Sequence, residues 1–470
     1  MSTSDFDFSE SMDPQEDNKL RRLVASYEEG DASVRVDSAA LEQISSYYFE
    51  KGRFQLALDV LDDLSNLQPF SSDVKLKRGV LLNHLGLHED ALQAYESALE
   101  LNPVDTETLI NRGVTLDALG DSLAALDSYS RALSIDPLNV DAWYNKGITL
   151  ERMNRLEEAV AALERSTDLY PDHPEAWYEL GYCFDRLAED EKSVTCYDRH
   201  IDISPYSADA WYNRGIVLNR LDRYEDAVFS YEMALAIDDT FTSAYYNLGN
   251  ALANLGKPME AIENYKKVLK LEGNDAATFY NIALACEELG EKKRAYANYK
   301  QAIQEEPDYA DAWFGLGCCA EDIGQPDYAL ECFREAVDLR PHEPEYWRAL
   351  ATLSASLRLP RTALKAFQQA AELDPSDRHT WVDYAAFLTE IGRHKEALSA
   401  CRHALELESD CADAYLEQAR AYFALGQKDE SFSALRQACR LDESTMAFCR
   451  QSYPEFYGQM ELRPPFGRDR

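Results

Sequence analysis

Apolar residues along this chain fall at helical spacing, and the helical segments come in pairs. Over residues 208–241, Trp211, Ile216 and Leu218 mark a first helix, and Ala227, Tyr231, Ala234 and Leu235 mark a second. The same pattern returns every 34 residues. Proline traces it most plainly. Pro69, Pro103, Pro137, Pro171 and Pro205 stand 34 apart; the series passes through Asp239 and Gly273, resumes at Pro307, Pro341 and Pro375, and runs on through Ser409 and Glu443. With this residue at repeat position 32, twelve repeats follow without insertion or deletion: 38–71, 72–105, 106–139, 140–173, 174–207, 208–241, 242–275, 276–309, 310–343, 344–377, 378–411 and 412–445.

The remaining punctuation falls on the same grid. Of 13 prolines in the repeat block, eight sit at position 32, two at position 1 (Pro174, Pro344) and three at position 17 (Pro258, Pro326, Pro360). Proline fits the first turn of a helix, where no backbone bond is lost, and the stretch just past a helix end. Positions 1 and 17 therefore open two helices, A and B, and position 32 follows the end of B. Glycine at position 15, as in Gly52, Gly86 and Gly120, suits the left-handed residue that closes helix A. Seven further glycines at position 8, among them Gly79, Gly113 and Gly215, lie inside helix A. There each costs about 1 kcal/mol relative to alanine, which predicts the close approach of a neighbouring helix.

A two-helix unit of this length cannot bury both its apolar faces alone. Stacking on neighbours does so, and the predicted fold is an all-α solenoid of stacked antiparallel helix pairs, about 24 repeat helices with short terminal helices. Outside the repeats, residues 1–18 are predicted as an acidic disordered tail and 19–37 as an N-terminal capping segment. Residues 446–470 are predicted as a C-terminal capping helix and tail. The helix is placed near Thr445 to Ser452, ahead of Tyr453-Pro454 and a Pro464-Pro465 stop.

The residues resemble a known family. Position 4 holds Trp143, Trp177, Trp211, Tyr245, Phe279, Trp313, Trp347, Trp381 and Tyr415 in successive repeats, and alanine holds position 20 from Ala57 through Ala91, Ala125 and Ala159 onward with few exceptions. With small residues at 8 and 27, an aromatic at 24 and proline at 32, the unit is similar to the tetratricopeptide repeat. Departures lie mostly toward the ends, as with Leu41 and Ser45 in the first unit and Lys75 in the second. The resemblance implies a right-handed superhelix whose concave groove is lined by helix A. It also implies a chain that binds peptides or proteins and carries no catalysis of its own. Chaperone-binding members of the family clamp a carboxylate with three cations and two asparagines. Here Asn250 and Asn281 match the asparagines, but Tyr246, Asp311 and Gly315 stand where the cations would be, so a heat-shock chaperone tail is not the expected ligand.

Charge narrows the partner. The chain has 47 Lys plus Arg against 85 Asp plus Glu, a net −38. Nucleic acid and anionic lipid both require clustered cations, so neither is expected, and no run of residues is apolar enough for membrane insertion. Ten cysteines show no C-x-x-C spacing, and Met1 to Asp17 carries six acids and no base, unlike a secretory signal. Reduced core cysteines and a cytoplasmic location are the expectation. No nucleophile motif, phosphate loop or zinc spacing stands out. His84 and His88 are four apart but straddle the turn at Gly86, so they do not share a helix face. No catalytic residue, metal or cofactor is predicted.

In the resembled family, positions 5 and 6 line the groove. Position 5 reads Tyr144, Tyr178, Tyr212, Tyr246, Tyr280 and Phe314; position 6 reads Asn111, Asn145, Asn213, Asn247 and Asn281, with Glu179 interrupting. A tyrosine ladder offers flat apolar area with a hydroxyl at small entropic cost, and asparagine amides can grip a peptide backbone. Both residue types also serve packing between neighbouring helices in this scaffold. Position 13 carries Arg152, Arg186 and Arg220. These form either a cationic strip for an acidic segment or a set of helix-end charges paired with neighbouring acids. Elsewhere the groove should favour basic or neutral ligands. A protein-binding scaffold is the function this predicts. Self-association into an assembly is the alternative, and a small-molecule enzyme or RNA binder is less favoured.

Overall fold

The computed structural model describes residues 14–442, 444–452, 456 and 458. Among these the chain is all helix, 27 helices in order with no strand. Contacts divide it into two units, one ending at Asp239 and one beginning at Thr240. Each unit is a solenoid of antiparallel helix pairs in which helix A packs on helix B of its own repeat and helix B packs on helix A of the next.

The repeat boundaries follow local chemistry. Helix A takes positions 1–13, as in Val140–Arg152, and helix B positions 17–30, as in Leu156–Leu169. Helix A opens at position 34 of the preceding repeat, where Asp37, Asn139, Ser207, Asp275 and Asp377 accept hydrogen bonds from backbone N–H groups of the first turn. It closes on a left-handed residue at position 15. Eight repeats place glycine there; the other four hold the same conformation with Asn154, Ala188, Asp222 and Arg358, at φ 56–58°. Asn154 N–H donates to the Glu151 carbonyl at 2.8 Å and Arg155 N–H to the Leu150 carbonyl at 2.9 Å, the pair of bonds that caps such an end.

The glycines at position 8 are explained by helix B of the same repeat. A Cβ on Gly215 would lie 2.6 Å from the Tyr231 ring, and one on Gly147 would lie 2.6 Å from Leu163. Position 24 supplies these side chains, and Tyr95, Tyr129, Tyr197, Tyr231, Tyr265, Tyr299, Phe333 and Phe367 are all fully buried there. Positions 4 and 32, separate marks in the sequence, meet in space. The ring N–H of Trp143, Trp177, Trp211, Trp313, Trp347 and Trp381 donates at 2.8–3.0 Å to the carbonyl of the proline six residues earlier. The repeats entered through Asp239 and Gly273 instead of proline carry Tyr245 and Phe279, which have no ring N–H to donate.

The flanks differ in one respect from expectation. A helix spans Pro14–Glu28, so residues 14–18, expected in the disordered tail, are helical. Pro14 followed by Glu16 and Asp17 is the composition of a helix first turn, not only of a tail. A four-residue helix, Ala32–Arg35, follows, and Thr445–Ser452 is helical. Residues 1–13 and the Tyr453-Pro454 and Pro464-Pro465 segments lie outside the described residues. All ten cysteines are free, and all but Cys318 and Cys439 are buried. His84 stacks on Phe54 at 4.6 Å, and His88 hydrogen-bonds Asn83.

Candidate protein-binding site

Successive helices A touch one another within each unit, as 106–118 does 140–152, and 140–152 does 174–186. Their shared face carries positions 5, 6, 9, 12 and 13. The position 5 rings are half-buried there. Each is fixed by the aromatic at position 24 of its own repeat: Tyr178 against Tyr197 at 5.8 Å, Tyr212 against Tyr231 at 6.0 Å, Tyr246 against Tyr265 at 5.9 Å, Tyr280 against Tyr299 at 5.7 Å and Phe314 against Phe333 at 5.7 Å. Tyr144, whose repeat has Leu163 at position 24, leans on His173 at 4.9 Å instead.

The asparagines at position 6 tie one repeat to the one before. Asn213 donates to the Tyr178 hydroxyl and Asn281 to the Tyr246 hydroxyl, both at 2.9 Å. Asn250 accepts from Tyr265 at 2.8 Å and from Asn281 at 3.3 Å. Asn145 follows Ile110 at position 5 and turns to its own helix, donating to the Asp141 carbonyl at 2.8 Å. Asn247 is half-buried on the same face of its helix. Tyr178 and Tyr246 are thus braced from both sides, and their rings are held in place before any partner arrives. Preorganised aromatic area of this kind loses little freedom on binding.

The three arginines do not share one environment. Arg220 lies against Asp185 and Asp190 of the preceding repeat, its Nε 3.0 Å from Asp190 Oδ2, and these carboxylates push its pKa further up. Arg186 donates to Asn154 at 2.6 Å and stands 3.5 Å from Glu151. Arg152 is exposed and has no ion pair within 4 Å among the described residues. Pairing across the repeat joint is invisible in the sequence, because the partners lie 30 to 35 residues away.

In the sequence, Glu179 shows only as a break in the asparagine row. Its carboxyl is pushed up to about 7, first by burial and then by Glu151, with Arg152 acting in the opposite direction. Burial, then Glu179 and Glu175, push Tyr144 up to about 12. The helix A face near 144–186 therefore combines a half-buried ring, a carboxyl pushed up to about 7 and Arg152, which has no ion pair among the described residues.

The sequence pattern of the tetratricopeptide repeat matches residues 43–106, 110–174, 144–208, 208–241, 242–275, 288–353, 348–407 and 412–445. The chain belongs to the tetratricopeptide repeat family. This is a protein-interaction fold, generally without catalysis, and the chain is a scaffold of that general kind. Similar solved structures include MamA, 28% identical with a TM-score of 0.35, over 36% of this chain and 91% of MamA. YrrB, described as a TPR protein with an unusual peptide-binding site, is 24% identical with a TM-score of 0.37, over 39% of this chain and 95% of its own. A tetratricopeptide repeat protein from Parabacteroides merdae is 18% identical with a TM-score of 0.38, over 53% and 98%. No curated protein matches the chain. Among the described residues no helix is long and apolar enough to cross a membrane.

Proposed function

We propose that this tetratricopeptide scaffold holds a segment of another protein against the helix A face of a unit, with the position 5 rings of that unit as its main contacts. The observation that carries the reading is the row itself. Tyr144, Tyr178 and Tyr212 in one unit, and Tyr246, Tyr280 and Phe314 in the other, are half-buried, ring-braced and in register with the repeat. Aromatic residues held rigidly on a partly exposed face are the residue type that dominates binding energy in protein interfaces. The segment is basic or neutral in character. Glu175 and Glu179 stand near Tyr144, Glu151 stands near Glu179, and Arg186 and Arg220 are already neutralised by carboxylates of the scaffold. Arg152 supplies one local exception.

The test is capture of the native partner by the full chain with Tyr178, Tyr212 and Tyr246 changed together to alanine. Loss of the partner, with the helical content retained, is the expected result. Undiminished capture would place the binding surface elsewhere.

A further inference from the structure

A second surface stands apart from the helix A face. Position 33, the residue after the proline, lies in the loop from helix B to the next helix A and is exposed in every repeat. From the repeat beginning at 242 onward it is polar: Asn274, Asp308, His342, Ser376, Asp410 and Ser444. In the first five repeats it is Phe70, Val104, Leu138, Asp172 and Tyr206. The four apolar side chains are 84%, 64%, 64% and 85% exposed, and the repeat with Asp172 carries Tyr170 two residues earlier, 50% exposed. The later repeats show that the fold places no demand for an apolar residue in this slot. Scattered exposed apolar residues need no explanation, but their recurrence at one repeat position sets them in a row along the loops.

The surroundings say what would cover it. Three residues after each position 33 stands an acid: Asp73, Glu107, Asp141, Glu175 and Asp209. Asp73 pairs with Lys77, and Glu175 lies 3.1 Å from His173. Glu107, Asp141 and Asp209 have no ion-pair partner among the described residues. Burial, then Asp105 and Asp73, push the Glu107 carboxyl up, and Lys77, already paired with Asp73, offsets this only in part. A second copy of this chain would bring acids against acids, at a net −38 on each copy. An anionic membrane would be repelled in the same way.

We propose that the loop edge formed by Phe70, Val104, Leu138, Tyr170 and Tyr206 docks a protein segment that alternates apolar side chains with lysine or arginine. The apolar side chains cover the ridge, and the cations meet the carboxylates beside it. The apolar ridge lies on the loops, apart from the position 5 rings, while the acids Glu175 and Asp209 stand between it and Tyr144 and Tyr178.

The test uses the full chain and a short synthetic peptide alternating leucine with lysine, beside its counterpart with serine in place of leucine, at about 0.15 M salt. The variant is Phe70→Asn, Leu138→Asn and Tyr206→Asn together. It leaves net charge unchanged, removes no buried side chain, and uses a residue type that a later repeat carries in the same slot. The wild type should bind the leucine peptide more tightly than the serine peptide, with hydrogen-exchange protection in the loops at 68–71, 102–105, 136–139 and 204–207. The variant should lose about tenfold in affinity for the leucine peptide and none for the serine peptide. A second variant, Asp141→Asn with Asp209→Asn, should weaken both peptides alike. Three results would overturn the proposal: equal binding of the leucine peptide by wild type and triple variant, protection confined to helix A, or a concentration-dependent dimer of the wild type that the triple variant abolishes.

Discussion

At position 15 the backbone, not the side chain, decides. Every repeat turns there through the left-handed region, and Asn154, Ala188, Asp222 and Arg358 do so without being glycine. For an L-residue that conformation costs roughly 1–2 kcal/mol, least for asparagine and aspartate. Ala188→Gly and Arg358→Gly should each stabilise the chain by about 1 kcal/mol, read as a rise in the urea midpoint; Asn154→Gly and Asp222→Gly should give less. Glu179 is the second residue whose setting differs from its neighbours. Its carboxyl titrates at about 7 in the fold, against an ordinary glutamate value of 4.5. Between those values the folded chain keeps a proton that the unfolded chain has released, so stability falls as pH rises through the window. Glu179→Gln keeps the shape without the titration. Relative to this variant, the wild type should lose roughly 2 kcal/mol between pH 5 and pH 8, allowing for its partial exposure. A constant difference across the range would mean that Glu179 is solvated.

Between elements, the joint from one repeat to the next is a small polar network centred on position 12. Asn83 donates to Thr115 of the following repeat at 2.6 Å and to the Tyr95 hydroxyl at 3.3 Å. Glu287 accepts from the Tyr299 hydroxyl at 2.8 Å and from the Cys319 thiol at 3.2 Å. In the repeat 174–207, Asp185 turns to Arg220 instead, and the Tyr197 hydroxyl is buried without a hydrogen-bond partner among the described residues. A buried unpaired polar group is unfavourable by about 1–3 kcal/mol. Tyr197→Phe should therefore be neutral or stabilising, while Tyr299→Phe should destabilise by about 1 kcal/mol in chemical denaturation; equal losses at both sites would show that the two hydroxyls are equally satisfied. Helix ends are legible in the sequence because Pro174, Pro258 and Gly86 act on their own backbone, and backbone effects are local. The N-caps at position 34 are not, because Asp, Ser, Asn and His all serve there. The partners of Arg220 and Tyr178 are hidden for another reason. A period gives each residue its place but says nothing about which neighbouring repeat its side chain reaches.

For the molecule as a whole, repetition does two jobs. Within each unit it lets each thin helix pair bury its inner face on the next, and it sets the same surface positions in a row. The twelvefold register, visible in the prolines alone, carries both the helix A face and the loop edge. What distinguishes one repeat from another is then the content of a few surface slots: rings at position 5, acids at positions 2 and 12, and apolar residues at position 33 in four of the first five repeats. The proposed binding role depends on the helix A slots meeting the partner. The most direct measurement is a photocrosslinking scan of the full chain in its native host. A photoreactive phenylalanine analogue would replace Tyr144, Tyr178, Tyr212, Tyr246 or Tyr280 in turn, and Glu164 or Glu232 on exposed helix B faces. The account predicts adducts to one partner protein from consecutive position 5 sites and none from Glu164 or Glu232. Adducts from the helix B sites, with the position 5 sites silent, would contradict it.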